Sequence, residues 1–373
     1  MTLSGVAGAV LATDSTLATL PIAAVVFGTL VGLIPLARWM SLKGRRSGFR
    51  LGVGLGTLGA ILALSGLAVD NFWLFTAGHF FIGLQQGAFQ YLRFAAGELV
   101  PEKHRSRGIS LVLAGGVIAA FLGPWLAFLG RSMGLKSMLG LAYAPILILY
   151  AVLVILFVLT PELSSATHVK TSNVQSAPAR NLMAIMGQPV YLQSLAGSAI
   201  GYALMIFMMT ATPLAMQKAG FNSGQTSWII QWHVLGMFIP SFFTGNLIDR
   251  WGHRPILALG LLAFTIDALV AIFFQGMWSF WISLTLLGLG WNFLYTASTS
   301  RLTHTYRPVE KEKAQAAHDL VVFTVNTLVT YEAAQLLKLA GWSGLNLWIL
   351  PLIAVSAVLI LFPNRTEKKR SLL

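Results

Sequence analysis

Residues 245–254 read GNLIDRWGHR, a charged stretch between two apolar runs, 227–248 and 255–274. Each run is about twenty residues long, which is enough for a helix to cross the hydrocarbon core of a bilayer. Backbone polar groups in lipid must be hydrogen-bonded within the segment, so a run of this kind is expected to be helical. The stretch therefore predicts two spanning helices joined by a tight loop, in which Gly252 permits the turn.

The composition of the whole chain agrees with this local pattern. Of its 373 residues, 56% are hydrophobic and only 10% are charged, whereas soluble domains carry about 25% charged residues. The net charge of +13 comes from short basic clusters between apolar runs, a pattern of membrane topology and not of nucleic-acid binding. Cysteine is absent, which excludes a disulfide framework, a cysteine metal site and a thiolate nucleophile.

Working outward from residues 245–254 gives eleven full spans. They are 17–40, 51–69, 72–97, 109–130, 138–160, 190–216, 227–248, 255–274, 277–300, 314–337 and 345–362. The apolar segment 1–12 is too short to cross a bilayer, and it lacks the basic residues of a secretory signal. We interpret it as the outer half of a truncated first helix, so that the full set is twelve.

The basic residues orient these spans. Twenty of the 25 Lys and Arg residues fall in loops on one side and four on the other, with Arg93 inside a span. The positive-inside rule makes the first side cytoplasmic. We therefore expect a multi-pass protein of a bacterial inner membrane, with both termini of the full-length form in the cytoplasm. The polar segment 161–189 is expected to be a cytoplasmic linker between an N-terminal bundle, 1–160, and a C-terminal bundle, 190–373.

The two bundles contain an internal repeat. Gly44 and Gly252 occupy equivalent basic loops 208 residues apart, and Pro101 and Pro308 occupy another equivalent pair 207 apart. Two similar offsets indicate a duplicated six-helix unit, a common design of transporters.

Residues 245–254 resemble the G-x-L-x-D-R-x-G-R/H-R loop signature of the major facilitator superfamily. The first-half copy is degraded, since Ala37 and Ser41 stand where the signature has its first Gly and its Asp. The resemblance covers nearly the whole chain. It implies an all-α fold of two six-helix bundles related by pseudo-two-fold symmetry, and a small-molecule substrate carried by alternating access, usually by a monomer.

Two further motifs resemble elements of that family. Glu98 and Arg105 are similar to the E-x6-R gate pair that follows the fourth helix. Residues 116–124, GVIAAFLGP, resemble the Gly-Pro motif of the fifth helix in many antiporters, although its later glycines are missing.

The loop 245–254 is a candidate gate on physical grounds as well. Asp249 ends a helix on the cytoplasmic side and can pair with Arg250 or Arg254 when the two halves are closed inside. The alternative is a solvated basic loop that serves topology only.

Polar residues at membrane depth are candidates for binding solute. On the fourth helix, Gln86, Gln90 and Arg93 follow an i, i+4, i+7 pattern and are expected to share one face towards a central cavity. Arg93 can attract an anionic group, or instead extend to the nearby interface.

Further cavity candidates lie on the seventh, tenth and eleventh helices, which carry Tyr202, the trio Trp291, Asn292 and Tyr295, and Asn326. An aromatic pocket lined by amides suits a flat or amphipathic organic solute. Ordinary aromatic packing is the alternative explanation.

Two residues are candidates for coupling transport to protons. His233 can take up a proton near neutral pH, and Glu332 lies deep in the eleventh helix. His233 could instead be a neutral, hydrogen-bonded core histidine, and Glu332 could pair with Lys338.

The leading hypothesis is a proton-coupled secondary carrier for a small organic solute, with the lipid bilayer as its other partner. No GxxxxGK[ST] phosphate loop and no H-E-x-x-H pair occurs in the sequence, which argues against ATP-driven transport and against an intramembrane metalloprotease. We expect no enzyme activity, cofactor, metal or nucleic-acid partner. A non-transporting receptor or scaffold derived from a transporter, and a channel, are the alternatives.

Overall fold

The computed structural model describes residues 7–8, 10–12, 14, 17, 19–122, 147–157 and 178–361, without the side chains of residues 223 and 330–335. Every regular element in these ranges is a helix. Parts of the predicted half helix 1–12 and of the spans 109–130 and 138–160, and most of the linker 161–189, lie outside them.

Thirteen α-helices in these ranges define the fold. The first six are α1 (Leu20–Lys43), α2 (Arg45–Ala68), α3 (Phe72–Phe89), α4 (Leu92–Glu98), α5 (Arg105–Ala114) and α6 (Leu147–Phe157). The others are α7 (Leu182–Met186), α8 (Pro189–Lys218), α9 (Ser223–Phe238), α10 (Ser241–Trp251), α11 (His253–Phe273), α12 (Met277–Leu302) and α13 (Lys311–Leu361). After a turn at Gly115, residues 116–122 are again helical. By length and composition, 7 helices of the described part could cross a membrane.

The chain forms two compact units. Unit 1 comprises Met1–Leu92, Phe121–Ala177 and Gln315–Leu320, and unit 2 comprises Arg93–Ala120, Pro178–Ala314 and Val321–Leu373. Unit 2 thus contains residues from both sides of the predicted linker. The predicted division into bundles 1–160 and 190–373 stays a prediction.

Helix ends differ from the predicted spans because hydropathy detects only the apolar part of a helix. The span predicted from residue 51 begins at Arg45, since basic side chains at a helix end can extend towards water and keep the backbone helical. The first span likewise continues to Lys43, where a cation is favourable at the helix C-terminus.

Two predicted helices are interrupted. The span 72–97 divides into α3 and α4 at Gln90 and Tyr91, where the Tyr91 N–H donates to the Ala88 carbonyl, three residues back, at 3.2 Å. The span 227–248 divides into α9 and α10 around Pro240, which has no N–H and whose ring conflicts with the preceding turn. One helical range, α13, covers the last two predicted spans, whose two helices meet at Gly341, where φ is +68° and ψ is −177°.

Helix α12 is the centre of unit 2. Every residue from Trp291 to Leu302 is buried, and a helix buried all round belongs to the core of its protein. Its neighbours are α8, α9 and α11. By contrast, Phe27, Ile34 and Trp278 are 61%, 52% and 69% exposed, as expected for side chains that face lipid.

Arg180, inside the predicted linker 161–189, is tied to the turn before α13. Its guanidinium donates to Glu310 at 2.6 Å from Nη2 and 3.0 Å from Nε, and its backbone N–H donates to the same carboxylate at 2.7 Å. The backbone N–H of Arg307 adds a bond of 3.0 Å. These donors, Arg180 first, lower the pKa of Glu310 to about 2. Glu310 is fully buried, so the free energy of its negative charge in the folded protein depends on this pairing.

We predict that Glu310→Gln destabilises the folded protein by about 3 kcal/mol, the low end for breaking a buried ion pair, because the Arg180 side chain keeps 31% exposure. The pKa of Glu310 falls from an ordinary 4.5 to about 2. Its stabilisation is therefore complete above pH 4.5 and is lost as the pH falls through 2. Melting temperatures in detergent at pH 7 measure the first effect, and a series from pH 7 towards pH 2 measures the second, with exposed Glu102→Gln as control. Equal shifts in the two variants at pH 7 would contradict this role.

Candidate functional site

Four aromatic rings of unit 2, which we call the aromatic cluster, come together from three helices: Tyr202 of α8, Trp291 and Tyr295 of α12, and Phe323 of α13. Trp291 and Tyr295 are four residues apart, share a helix face and stack at 5.0 Å between centroids and 14° between planes. The Tyr202 ring meets these two rings edge-on at 5.6 and 5.5 Å and the Phe323 ring at 5.7 Å. The predicted aromatic residues thus form one cluster, to which Phe323 is an addition.

Arg93 lies against this cluster. Its guanidinium carbon is 5.1 Å from the Tyr295 ring centroid and 4.5 Å from that of Phe94, within the range of cation–π attraction. The side chain is only 3% exposed. A buried cation beside stacked rings is a combination that can recognise a flat solute carrying a polar or negative group.

The amide candidates are placed differently. Asn326 is one turn beyond Phe323 on α13 and is buried. Gln86 and Gln90 belong to unit 1 and are half-buried, and the Gln86 side-chain oxygen accepts from the Thr29 hydroxyl at 3.4 Å. The interruption after α3 lies between Gln86 and Arg93, so the continuous helix on which the prediction of a shared face for Gln86, Gln90 and Arg93 depended is not observed.

Asn292 is directed to the interruption between α9 and α10. Its amide nitrogen donates to the Met237 carbonyl at 2.7 Å and to the Ser241 hydroxyl at 2.6 Å, and its oxygen accepts from Thr244 at 2.7 Å. Successive helix residues point about 100° apart, so Asn292 does not share the face of Trp291. These bonds favour a structural role over the predicted contact with solute.

A serine contact region joins α5 to α10 and α12 within unit 2. Ser106 and Ser300 share a hydrogen bond of 2.7 Å. The Ser110 hydroxyl donates to the Ser241 carbonyl and accepts from the Gly245 N–H at 3.2 Å. These serines were not predicted as site residues, because single hydroxyls are common in membrane helices. Their one signal is the spacing of four between Ser106 and Ser110, which puts both on one face.

Glu98 binds a different partner from the predicted one. Its carboxylate pairs with Lys311 Nζ at 2.8 Å, an ion pair from the end of α4 to the start of α13. The Arg105 side chain makes no hydrogen bond or ion pair within the described residues, so the pairing of Glu98 with Arg105 that the resemblance implied is not observed. The reason is that α4 ends at Glu98, and Arg105 starts a new helix.

The residues of the loop 245–254 are mostly at the surface. Asp249 and Arg250 are exposed, and no hydrogen bond or ion pair of the Asp249 side chain occurs in the described part of the chain. Arg254 is half-buried. Gly252 has a φ of +84°, so the predicted tight turn exists at a position that favours glycine.

The two proton candidates are only partly described. His233 is fully buried, and its Nδ1 lies 2.8 Å from the Leu284 carbonyl oxygen, which fits the alternative of a core histidine. The side chain of Glu332 lies outside the described residues. Among the residues that are described, no group of three or more His, Cys, Asp or Glu could hold a metal ion.

Comparison with known proteins gives consistent matches over almost the full length. A family model, the Major Facilitator Superfamily, matches residues 1–222 and 194–372. The riboflavin transporter RfnT of Brucella anthropi is 34% identical over 360 residues, which cover 96% of this chain and 89% of the relative. YdeG of Bacillus subtilis, an uncharacterized transporter of the MFS type, is 26% identical over 85% of this chain and 76% of its own.

Solved structures agree on the fold. The E. coli fucose:proton symporter FucP aligns over 97% of this chain and 94% of its own, with a TM-score of 0.75 and 20% identity. The proton:xylose symporter XylE, bound to 6-bromo-6-deoxy-D-glucose, aligns over 96% and 91% with a TM-score of 0.76 and 13% identity. At these identities the likeness concerns the fold alone.

Helix α10 lies very close to the backbone of α5 at Gly245. A Cβ there would lie 2.5 Å from Arg107 Cα and 2.7 Å from the Ser106 carbonyl oxygen, and backbone atoms cannot move aside locally. We therefore expect Gly245→Ala to separate α10 from α5. Overpacking costs about 1–3 kcal/mol, which corresponds to about a 5- to 150-fold increase in the separated form.

The measurement uses the natural lack of cysteine. Ser106→Cys supplies a single thiol in the serine contact region, and its labelling rate with a maleimide reports separation. Gly54→Ala in α2 is the matched control, since a Cβ at Gly54 meets nothing within 4 Å. Labelling at the same rate in both alanine variants would rule out the proposed steric contact.

Proposed function

This chain belongs to the Major Facilitator Superfamily, and from that premise we propose that it carries a small, flat aromatic solute across a bacterial inner membrane by alternating access. The predictions of an all-α membrane protein with this family's fold, and of a protein that is not an enzyme, are confirmed. The observation that carries the proposal is the aromatic cluster with the buried Arg93 against it.

A flavin is the solute class we propose. Tyr202 and Phe323 are half-buried, so they keep surface that a flat ring can stack on, and stacking on aromatic side chains contributes about 1–3 kcal/mol per ring. Arg93 supplies a donor for a polar or negative group at the edge of that ring. The relative at 34% identity is named a riboflavin transporter, which makes riboflavin the first solute to test. Asn326 stays a candidate for its polar atoms, and the solute contacts of Gln86 and Gln90 in unit 1 stay predictions from the sequence.

Alternating access has support from contacts within unit 2. The serine contact region and the Glu98–Lys311 pair join α4 and α5, which precede the predicted linker, to α10, α12 and α13, which follow it. These residues lie near the predicted cytoplasmic loops. We propose that the contacts close the cytoplasmic side and break when it opens. Asp249, Arg250 and Arg254 would then modulate this step from the adjacent loop.

Proton coupling and assembly complete the proposal. A net proton movement would let the carrier concentrate solute, with His233 and Glu332 as the candidates from sequence. We further propose a monomer with cytoplasmic termini, in agreement with the distribution of Lys and Arg.

We predict that purified protein binds riboflavin, and that Tyr202→Ala raises its Kd about 5- to 150-fold by removing about 1–3 kcal/mol of stacking. Tyr202→Phe keeps the ring and should retain most of the affinity. The measurement is quenching of flavin fluorescence on titration with protein. Trp278→Ala is the control, because Trp278 is 69% exposed at the start of α12 and outside the aromatic cluster.

Reconstituted vesicles then test the carrier itself. Preloaded riboflavin should exchange with labelled riboflavin outside, and Tyr202→Ala should reduce this counterflow. Binding without any exchange would reject the carrier and favour the receptor alternative. Equal Kd values in the Tyr202→Ala and Trp278→Ala variants would move the solute site away from the aromatic cluster.

A further inference from the structure

A histidine–aspartate pair lies buried in α13. His318 Nδ1 is 2.9 Å from Asp319 Oδ1, and both side chains are 0% exposed. Residue 318 is four positions inside the predicted span that starts at residue 314, about 6 Å along the helix axis. Burial of an ionisable group within a membrane span is unfavourable in free energy, so such a group is a candidate for a functional role.

The pair differs from the other buried ionisable groups of the chain. Asp267 binds the hydroxyl of Ser283, and His233 binds a backbone carbonyl. Within the described residues neither has an ionisable partner. His318 and Asp319 alone combine a base that can take a proton with a carboxylate that stabilises the resulting cation.

The surroundings of the pair connect it to a contact that can open. Gln315 lies one turn before Asp319, on the same face of α13, and its side-chain oxygen accepts from Arg45 Nη2 of α2 at 2.7 Å. Arg45 also lies 5.6 Å from the Tyr91 ring. On α13 itself, Lys311, Glu312 and Lys313 are the charged residues on the predicted cytoplasmic side of the pair. Loss of the Arg45–Gln315 bond would let water reach Asp319.

We propose that His318 and Asp319 form the site that binds the transported proton, a site that rests on the proposed function as a proton-coupled carrier. With a neutral imidazole and an ionised carboxylate the pair has a net charge of −1. Uptake of one proton makes it an imidazolium–carboxylate pair of net charge 0, which costs less to bury in the membrane. Release returns the proton to water once the Arg45–Gln315 bond is broken, so one proton crosses per cycle.

The test uses proteoliposomes with riboflavin as solute and an imposed pH gradient. At one proton per solute, each pH unit can drive about a tenfold accumulation. Asp319→Asn keeps an oxygen that accepts from His318 but cannot carry the charge. We expect this variant to lose accumulation above the equilibrium level, and to lose the proton influx reported by a trapped pH dye, while counterflow exchange of riboflavin continues.

Matched controls separate the site from the general effects of altering a buried polar group. Asp267→Asn removes another buried carboxylate, and His79→Gln removes another buried histidine, whose Nδ1 lies 2.9 Å from the Phe75 carbonyl oxygen. Both should accumulate riboflavin like the parent. His318→Gln should reproduce the loss seen with Asp319→Asn, and it decides the question if Asp319→Asn does not fold.

The outcomes distinguish failure of the proton site from failure of the proposed carrier function. Accumulation at the parental level in a folded Asp319→Asn or His318→Gln variant overturns the proton site and leaves the carrier in place. Absence of riboflavin counterflow in the parent overturns the carrier, and with it the proton site that depends on it.

Discussion

The lack of water in a bilayer core is the constraint on which this structure depends. A backbone N–H or C=O in lipid must find its partner within the protein, and accordingly the spans in the described ranges are helical. The same constraint acts on side chains. Where Pro240 removes a backbone donor, Asn292, Ser241 and Thr244 supply hydrogen bonds around the interruption. Where helices from different parts of the chain meet in unit 2, hydroxyl groups of serines bond across the contact.

The sequence predicted the existence and order of the helices well and their continuity less well. Apolar length and the placement of basic residues are strong signals, because burial of charge in lipid is so unfavourable. The ends were displaced by several residues, as at Arg45, because a helix continues beyond its apolar part. The interruption at Gln90 and Tyr91 carries no proline or glycine signal. It depends on tertiary contacts such as the bond from the Tyr91 hydroxyl to the Leu33 carbonyl.

The residues that contribute to the candidate site could largely be predicted, but the directions and partners of their side chains could not. Helical spacing placed Trp291 and Tyr295 on one face, and the structure agrees. The direction of Asn292 could not be read from the same helix, since it depends on which neighbour supplies polar partners. The pairing of Glu98 with Lys311 joins residues 213 apart in sequence, and no local pattern reveals it. The periodicity of a sequence predicts which residues share a helix face, whereas pairs of residues far apart in sequence can be identified only from the folded structure.

The interruption at Pro240 gives α10 the mechanical character of a lever arm. The helix has 11 residues, about 16 Å of length at 1.5 Å per residue. A rotation of about 10° at its Pro240 end would displace the Trp251 end by about 3 Å. The bonds of α10 to α5 are at Ser241 and Gly245, close to the pivot, where the same rotation moves atoms by only about 1 Å. A small angular change near Asn292 would therefore move the Trp251 end while the contact with α5 stays in place. The carbonyl and hydroxyl groups bonded to Asn292 thus form the pivot of this rotation, and their packing determines how easily α10 rotates.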